Sequence, residues 1–204
     1  NELTKSVNEK FDNYDIGMAA SSLYDFFWTK FCDWYIEISK VTINKNKEAT
    51  LATLNYVLTS LLKMLHPFIP FVTERIYQEL PMHDETIMLS KFPEYDKNLN
   101  FEADAKLFER IQDIVKQVRN VRAEANVPDN KRCKLYLLTS NETALNYVDV
   151  IEKLAMGNNT EIITDEKSVD NAKLCMNEVL KVFVVTMDEN DKEREVERLN
   201  TELK

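Results

Sequence analysis

The stretch HPFIPFVTERIYQEL, His66 to Leu80, constrains the fold more than any other part of the chain. Pro67 and Pro70 have no backbone N–H to donate, and each biases the residue before it away from helix. A helix carrying Leu58, Leu61, Leu62 and Leu65 must therefore end near His66. Pro70 suits the first turn of a new helix, where the missing donor costs nothing. Pro81 stops that helix after Leu80. The pattern predicts a tight corner between two apolar helices, with Phe68, Ile69 and Phe71 available to plug it. There are only two glycines in 204 residues, Gly17 and Gly157. That scarcity favours helices and short joints over many turns.

Periodicity extends this picture in both directions. Residues 2–12 suit a short helix. From Ile16 a second helix carries Ala20, Leu23, Phe27, Trp34 and Ile38 on one face, with Tyr24, Trp28, Cys32 and Tyr35 as a second apolar flank. So wide an apolar arc predicts burial between neighbours. Trp28 is accordingly expected in the core, and Lys30 is expected to snorkel from an inner stripe. Residues 44–46 interrupt, and Leu51 to Leu65 forms the next helix. Residues 82–99 have the turn chemistry of a surface connection. Glu102 to Asn126 is a long helix with an inner stripe of Leu107, Ile111, Ile114, Val115, Val118, Val121 and Ala125. At Val127-Pro128 the period changes. Lys134 to Thr139 alternates like a strand. Asn141 starts a helix to about Met156, with Gly157 as its stop. Thr160 to Thr164 is strand-like, and the runs 173–176 and 180–187 read as paired strands. The turn near Asn177 that joins them lacks the glycine such turns favour. The charged stretch from Asp188 has coiled-coil spacing at Val196, Leu199 and Leu203. The predicted fold class is mainly α: a helical bundle over 1–128, a small α+β unit over 129–188, and the start of a coiled-coil helix over 189–204.

Composition removes several function classes. No apolar run approaches the roughly 18 residues of a membrane span, and the first residues do not read as a secretory signal. Cys32, Cys133 and Cys175 lack the paired spacing of a zinc site, and His66 and His83 do not complete one. Three buried, reduced thiols in a cytosolic protein is the plain reading. Cys133 and Cys175 both fall in strand-like runs that could be neighbours. No phosphate loop, metalloprotease motif or nucleophile with an evident base is present, so no catalytic and no metal residue is assigned. His66 reads as a packed histidine. Glu37, Glu74 and Asp33 read as capping or ion-pairing groups.

Charge carries the functional signal. The chain is −9 overall, which argues against indiscriminate binding to phosphate backbones. Yet 116–134 holds six basic residues, Lys116, Arg119, Arg122, Lys131, Arg132 and Lys134, against Glu124 and Asp129. A net of about +4 there gives a local cationic face suited to phosphate, with arginines able to grip it bidentately or stack on a base. At 100° per residue, Lys116 falls about 140° and Arg119 about 80° from Ile111, towards solvent. Arg122 falls about 20° away, inside the apolar stripe, as a buried ion-pair partner for an acid on a neighbouring helix. An ordinary solvated face is the competing reading.

Four segments in order resemble class I aminoacyl-tRNA synthetases, the valyl branch above all. They are LYDFFWTKFCDWYIE (Leu23 to Glu37), HPFIPFVTE, IMLSKFPEYD (Ile87 to Asp96) and VRNVRAEANVPDNKR (Val118 to Arg132). The last is similar to an R-x-x-R-[AS]-[EQ]-x-x-V-x-P-x-K pattern. Lys30 stands where the family often has an acid, and Phe92 where tryptophan is common. The resemblance implies an anticodon-binding helical bundle without its first helix, from a synthetase that joins valine to its tRNA using ATP and Mg. This chain would lack the catalytic domain, hold no cofactor and be inactive alone. MLSKF is only faintly similar to the family's ATP-binding K-M-S-K-S loop, with no nucleotide fold around it. The implied partners are a valine-specific tRNA and the rest of the synthetase chain, with no membrane, in a monomer. Lys116 and Arg119 are the expected tRNA-backbone contacts, with Lys131 and Arg132 at the hinge behind them. The alternative is a helical protein–protein interaction module with no RNA role.

Overall fold

In a computed structural model that describes residues 1–81, 83–165 and 172–186, the chain forms two compact units, Asn1–Phe101 and Glu102 onward. The stretch 189–204, expected as the start of a coiled-coil arm, lies outside the described residues.

The first unit is helical. α1 (Glu2–Asp12) and α2 (Ile16–Phe26) pack together. Between them Tyr14 takes a left-handed conformation (φ 61°), and the Asp15 N–H reaches back to Lys10 O. α2 runs on as a π-helix over Phe27–Ile36 and then as α3 (Glu37–Thr42). α4 (Lys47–Leu65) starts at Asn46, whose side chain accepts from Ala49 N. α5 (Pro70–Tyr77) has its proline in the first turn, as predicted. Val7, Ala19, Leu23, Phe31, Leu61 and Met64 form the core. The wider turn of the π segment advances each residue by less than an α-helical step, so Phe31 and Trp34 go inward and Lys30 turns out to solvent. Trp28 is 57% exposed and Tyr24 lies outside with it. Both expectations for this flank are thus corrected: α1 and α4 cover one side of the helix only.

The proline corner is braced by polar groups. Thr73 donates to Ile69 O at 2.9 Å, and His66 Nδ1 lies 2.8 Å from the same hydroxyl oxygen. With the threonine proton spent on a carbonyl, His66 is the donor in this contact. Phe68 plugs the corner against Phe11. Phe71, 89% exposed, and Ile69 do not. A helix beginning at Pro70 buries Thr73 and Tyr77, one turn apart, and so points Phe71 outward. Glu74 caps the next segment: it accepts from Thr86 Oγ1 at 2.8 Å and Ile87 N at 3.1 Å. These bonds, with one from Gln78, hold its carboxyl below the usual carboxylate range.

In the second unit, α6 (Glu102–Glu124) packs on a four-stranded sheet ordered β2-β1-β4-β3. β1 (Cys133–Leu138) is parallel to β2 (Gly157–Ile162) and antiparallel to β4 (Lys181–Val185), which pairs antiparallel with β3 (Lys173–Met176). Ile111, Ile114, Val115 and Val118 of α6 are buried, as are Leu135, Leu137, Val182 and Val184 of the sheet. The predicted helix from Asn141 is two pieces, α7 (Glu142–Leu145) and α8 (Val148–Leu154). Gly157 is not a helix stop. Met156 takes the left-handed turn (φ 57°), and Gly157 opens β2 three residues earlier than predicted. Its lack of a side chain answers to close packing: a Cβ there would sit 2.6 Å from Leu135 Cδ1. Cys133 and Cys175 are not neighbours, because β4 runs between their strands.

Candidate nucleic-acid interface

The cationic run lies on α6 and its exit into β1. α6 ends in a left-handed Asn126 (φ 52°), with the Val127 N–H bonded to Arg122 O. That cap turns the chain so that Lys131 and Arg132 follow directly into the sheet. Lys116, Arg119 and Arg132 are exposed, and Lys131 is half-buried.

Arginines in this run have a second occupation. Arg119 Nε donates to Leu154 O at 2.8 Å, Arg122 Nη1 to Met156 O at 3.3 Å, and Arg132 Nη1 to Gly157 O at 3.1 Å. Three guanidiniums therefore gather on the carbonyls of Leu154, Met156 and Gly157, at and just past the end of α8, where the helix end carries partial negative charge. A bond to a neutral carbonyl does not itself cancel a guanidinium's charge, and both Arg119 and Arg132 are exposed. Arg122 is 6% exposed, as its position in the stripe predicted. It reaches backbone carbonyls and a thiol rather than the expected carboxylate. It donates to Lys131 O (2.8 Å), Pro128 O, Met156 O and Cys133 Sγ. Lys134 is drawn aside by Glu161 at 2.9 Å and by the Tyr136 ring at 4.8 Å. Its hydrogen bond to Glu161, then that to Tyr136, raises its ammonium above the usual lysine value.

The first unit carries a second constellation that the sequence reading did not single out. Ala52, Asn55, Tyr56, Thr59, Ser60 and Lys63 follow helical spacing along one face of α4 and line a groove of about 370 Å³ with Lys91, Pro93 and Glu94. The signal was available in the sequence: a polar stripe with a tyrosine, on a helix whose other face is leucine. Among the described residues there is no clustering of His, Cys, Asp and Glu that could hold a metal ion. No helix among them is long and apolar enough to cross a membrane.

Comparison with known proteins agrees with this architecture. Residues 1–137 match the anticodon-binding domain of tRNA ligase. Over 98% of its length the chain is 36% identical to the valine–tRNA ligase of Clostridium tetani and 37% identical to that of Thermotoga maritima. It is 45% identical to that of Pseudothermotoga lettingae over 64% of its length. The chain spans about a quarter of the C. tetani protein, 24% of its length. The matched residues include α1 to α5, α6 and most of β1, and the chain belongs to the anticodon-binding domain family of the tRNA ligases.

Proposed function

We propose that this chain holds the anticodon arm of a valine tRNA as part of a valine–tRNA ligase. The match of residues 1–137 to the anticodon-binding domain carries the reading. Valine is activated with ATP and Mg, and joined to the tRNA 3′ end, by parts of the ligase outside this chain. The residues here supply affinity and identity. Lys116, Arg119, Lys131 and Arg132 contact the tRNA backbone, where each phosphate neutralised releases condensed counterions. Anticodon bases, unstacked in their loop, are read by stacking and by hydrogen bonds to their edges. The functional bundle is 1–128, the α+β unit 129–188 supports its last helix, and 189–204 begins an arm. The ligase works as a cytoplasmic monomer.

The test is a titration of valine tRNA transcript into the 204-residue chain at several salt concentrations, beside a transcript with a swapped anticodon. Binding is expected to weaken steeply as salt rises, and the swapped transcript to bind more weakly. Absence of binding at low salt overturns the reading. Equal affinity for the two transcripts overturns its anticodon part.

A further inference from the structure

We propose that the groove between α4 and residues 91–94 receives one unstacked nucleotide of an RNA strand, an assignment that rests on the RNA-binding reading above. Asn55 Oδ1 and Thr59 Oγ1 are both buried without a hydrogen-bond partner, and both residues line the groove. Their neighbours behave differently. Thr53 donates to Ala49 O at 2.8 Å and Ser60 to Tyr56 O at 2.9 Å, the usual way a helix absorbs a hydroxyl. Tyr56 is 56% exposed and offers a ring face. Lys63 comes from the helix and Lys91 from the opposite wall, against the single carboxylate of Glu94.

That wall is fixed in advance. Phe92 packs edge-on against Phe11 at 5.7 Å, Asn8 Nδ2 donates to Pro93 O at 3.0 Å, and Asn1 exchanges hydrogen bonds with the backbone of Asp96. A pre-built wall lowers the ordering cost of binding.

The chemistry selects among ligands. One carboxylate beside two ammoniums does not suit a metal cation. A bare anion brings no donor for Asn55 Oδ1. An apolar group strands both buried oxygens. A nucleotide brings N–H and O–H groups of base and ribose for Asn55 Oδ1 and Thr59 Oγ1, a π face for Tyr56, and a phosphate for Lys63 and Lys91. The groove lies at the lower end of the roughly 300–1,000 Å³ typical of small-ligand sites, which fits one nucleotide and not a helix.

The experiment is an NMR titration of the 204-residue chain with adenosine 5′-monophosphate, ribose 5-phosphate, an acidic peptide and an unstructured single-stranded RNA hexamer. The nucleotide and the hexamer should shift the Asn55 side-chain amide and the amides of 55–63 and 91–94, with the hexamer binding more tightly. Tyr56→Ala should weaken both by about tenfold. Asn55→Leu should abolish the shifts while raising thermal stability, because it removes a buried unpaired acceptor. Equal shifts from ribose 5-phosphate or the peptide, or a hexamer no tighter than the mononucleotide, overturn the proposal. If valine tRNA binds wild type and Tyr56→Ala equally, the groove assignment fails and the tRNA reading stands. If the hexamer shifts the groove but tRNA does not bind, the tRNA reading fails and the groove assignment stands.

Discussion

Two buried side chains of the second unit show how one residue can set a measurable property. Arg122 donates to three carbonyls and a thiol; Met156 O and Pro128 O also accept from Cys133 N and Lys131 N, whereas Lys131 O and Cys133 Sγ lean on the guanidinium. Removing it takes the donor from Lys131 O, at roughly 1–3 kcal/mol, and leaves the buried Cys133 thiol without its partner and the space of a large side chain unfilled. Arg122→Ala is expected to lower the unfolding free energy by a few kcal/mol in urea titration, and Arg122→Lys to recover only part, since an ammonium lacks the planar fork. Cys175 is 2% exposed. Burial, reinforced by Glu124, pushes its thiol from 9.0 to about 11. Between those values the unfolded chain has lost the proton and the folded chain keeps it. Stability from this group is therefore complete below pH 9 and is lost as pH rises towards 11, on the order of 2–3 kcal/mol in all. Cys175→Ala should unfold with a shallower decline over that pH window. In native protein the wild-type thiol should also resist thiol reagents at pH 8, where about one in a thousand is thiolate.

The turn between β3 and β4 tests a rule that works at the level of elements. Hairpin turns favour glycine, and here the turn uses Asn177. Its Oδ1 accepts from Val179 N and Leu180 N, and its Nδ2 donates to Arg110 O at 2.8 Å. Asn177→Gly, which propensity alone would favour, is expected to destabilise the chain by about 1–3 kcal/mol. Differential scanning calorimetry of the pair decides the sign. This turn also marks how far the sequence was legible. Periodicity and proline placement located the helices, the corner and the paired strands, because those signals are local. They could not supply the π segment that sends Lys30 outward, the left-handed Met156 in place of a glycine cap, or the carbonyl partners of Arg122. Each of these depends on groups brought together from distant parts of the chain. The candidate site was legible in the same uneven way. The charge excess at 116–134 needed only counting, whereas the α4 groove required its far wall, Lys91 to Glu94.

For the molecule as a whole, the question is how a chain of net charge −9 can favour RNA. Long-range repulsion from the acidic bulk is screened beyond about 8–10 Å at ordinary ionic strength, so a local cationic surface can act on phosphates in contact with it. Arg119 tests whether it acts there as a charge or as a structural anchor. Its Nε bond to Leu154 O serves the fold, and its charge serves the proposed contact. Arg119→Lys keeps the charge without the guanidinium geometry, Arg119→Gln removes the charge, and Arg119→Glu reverses it. If the charge acts on RNA, the lysine variant should retain most tRNA affinity. The glutamine variant should lower the slope of log K against log salt by about one phosphate's worth, and the glutamate variant should bind weakest. All three lose the Nε bond to Leu154 O, so their urea midpoints should lie close to one another, and differences in tRNA affinity among them report the charge. Equal loss of tRNA affinity in the lysine and glutamine variants, tracking a common loss of stability, would instead assign Arg119 to the fold alone.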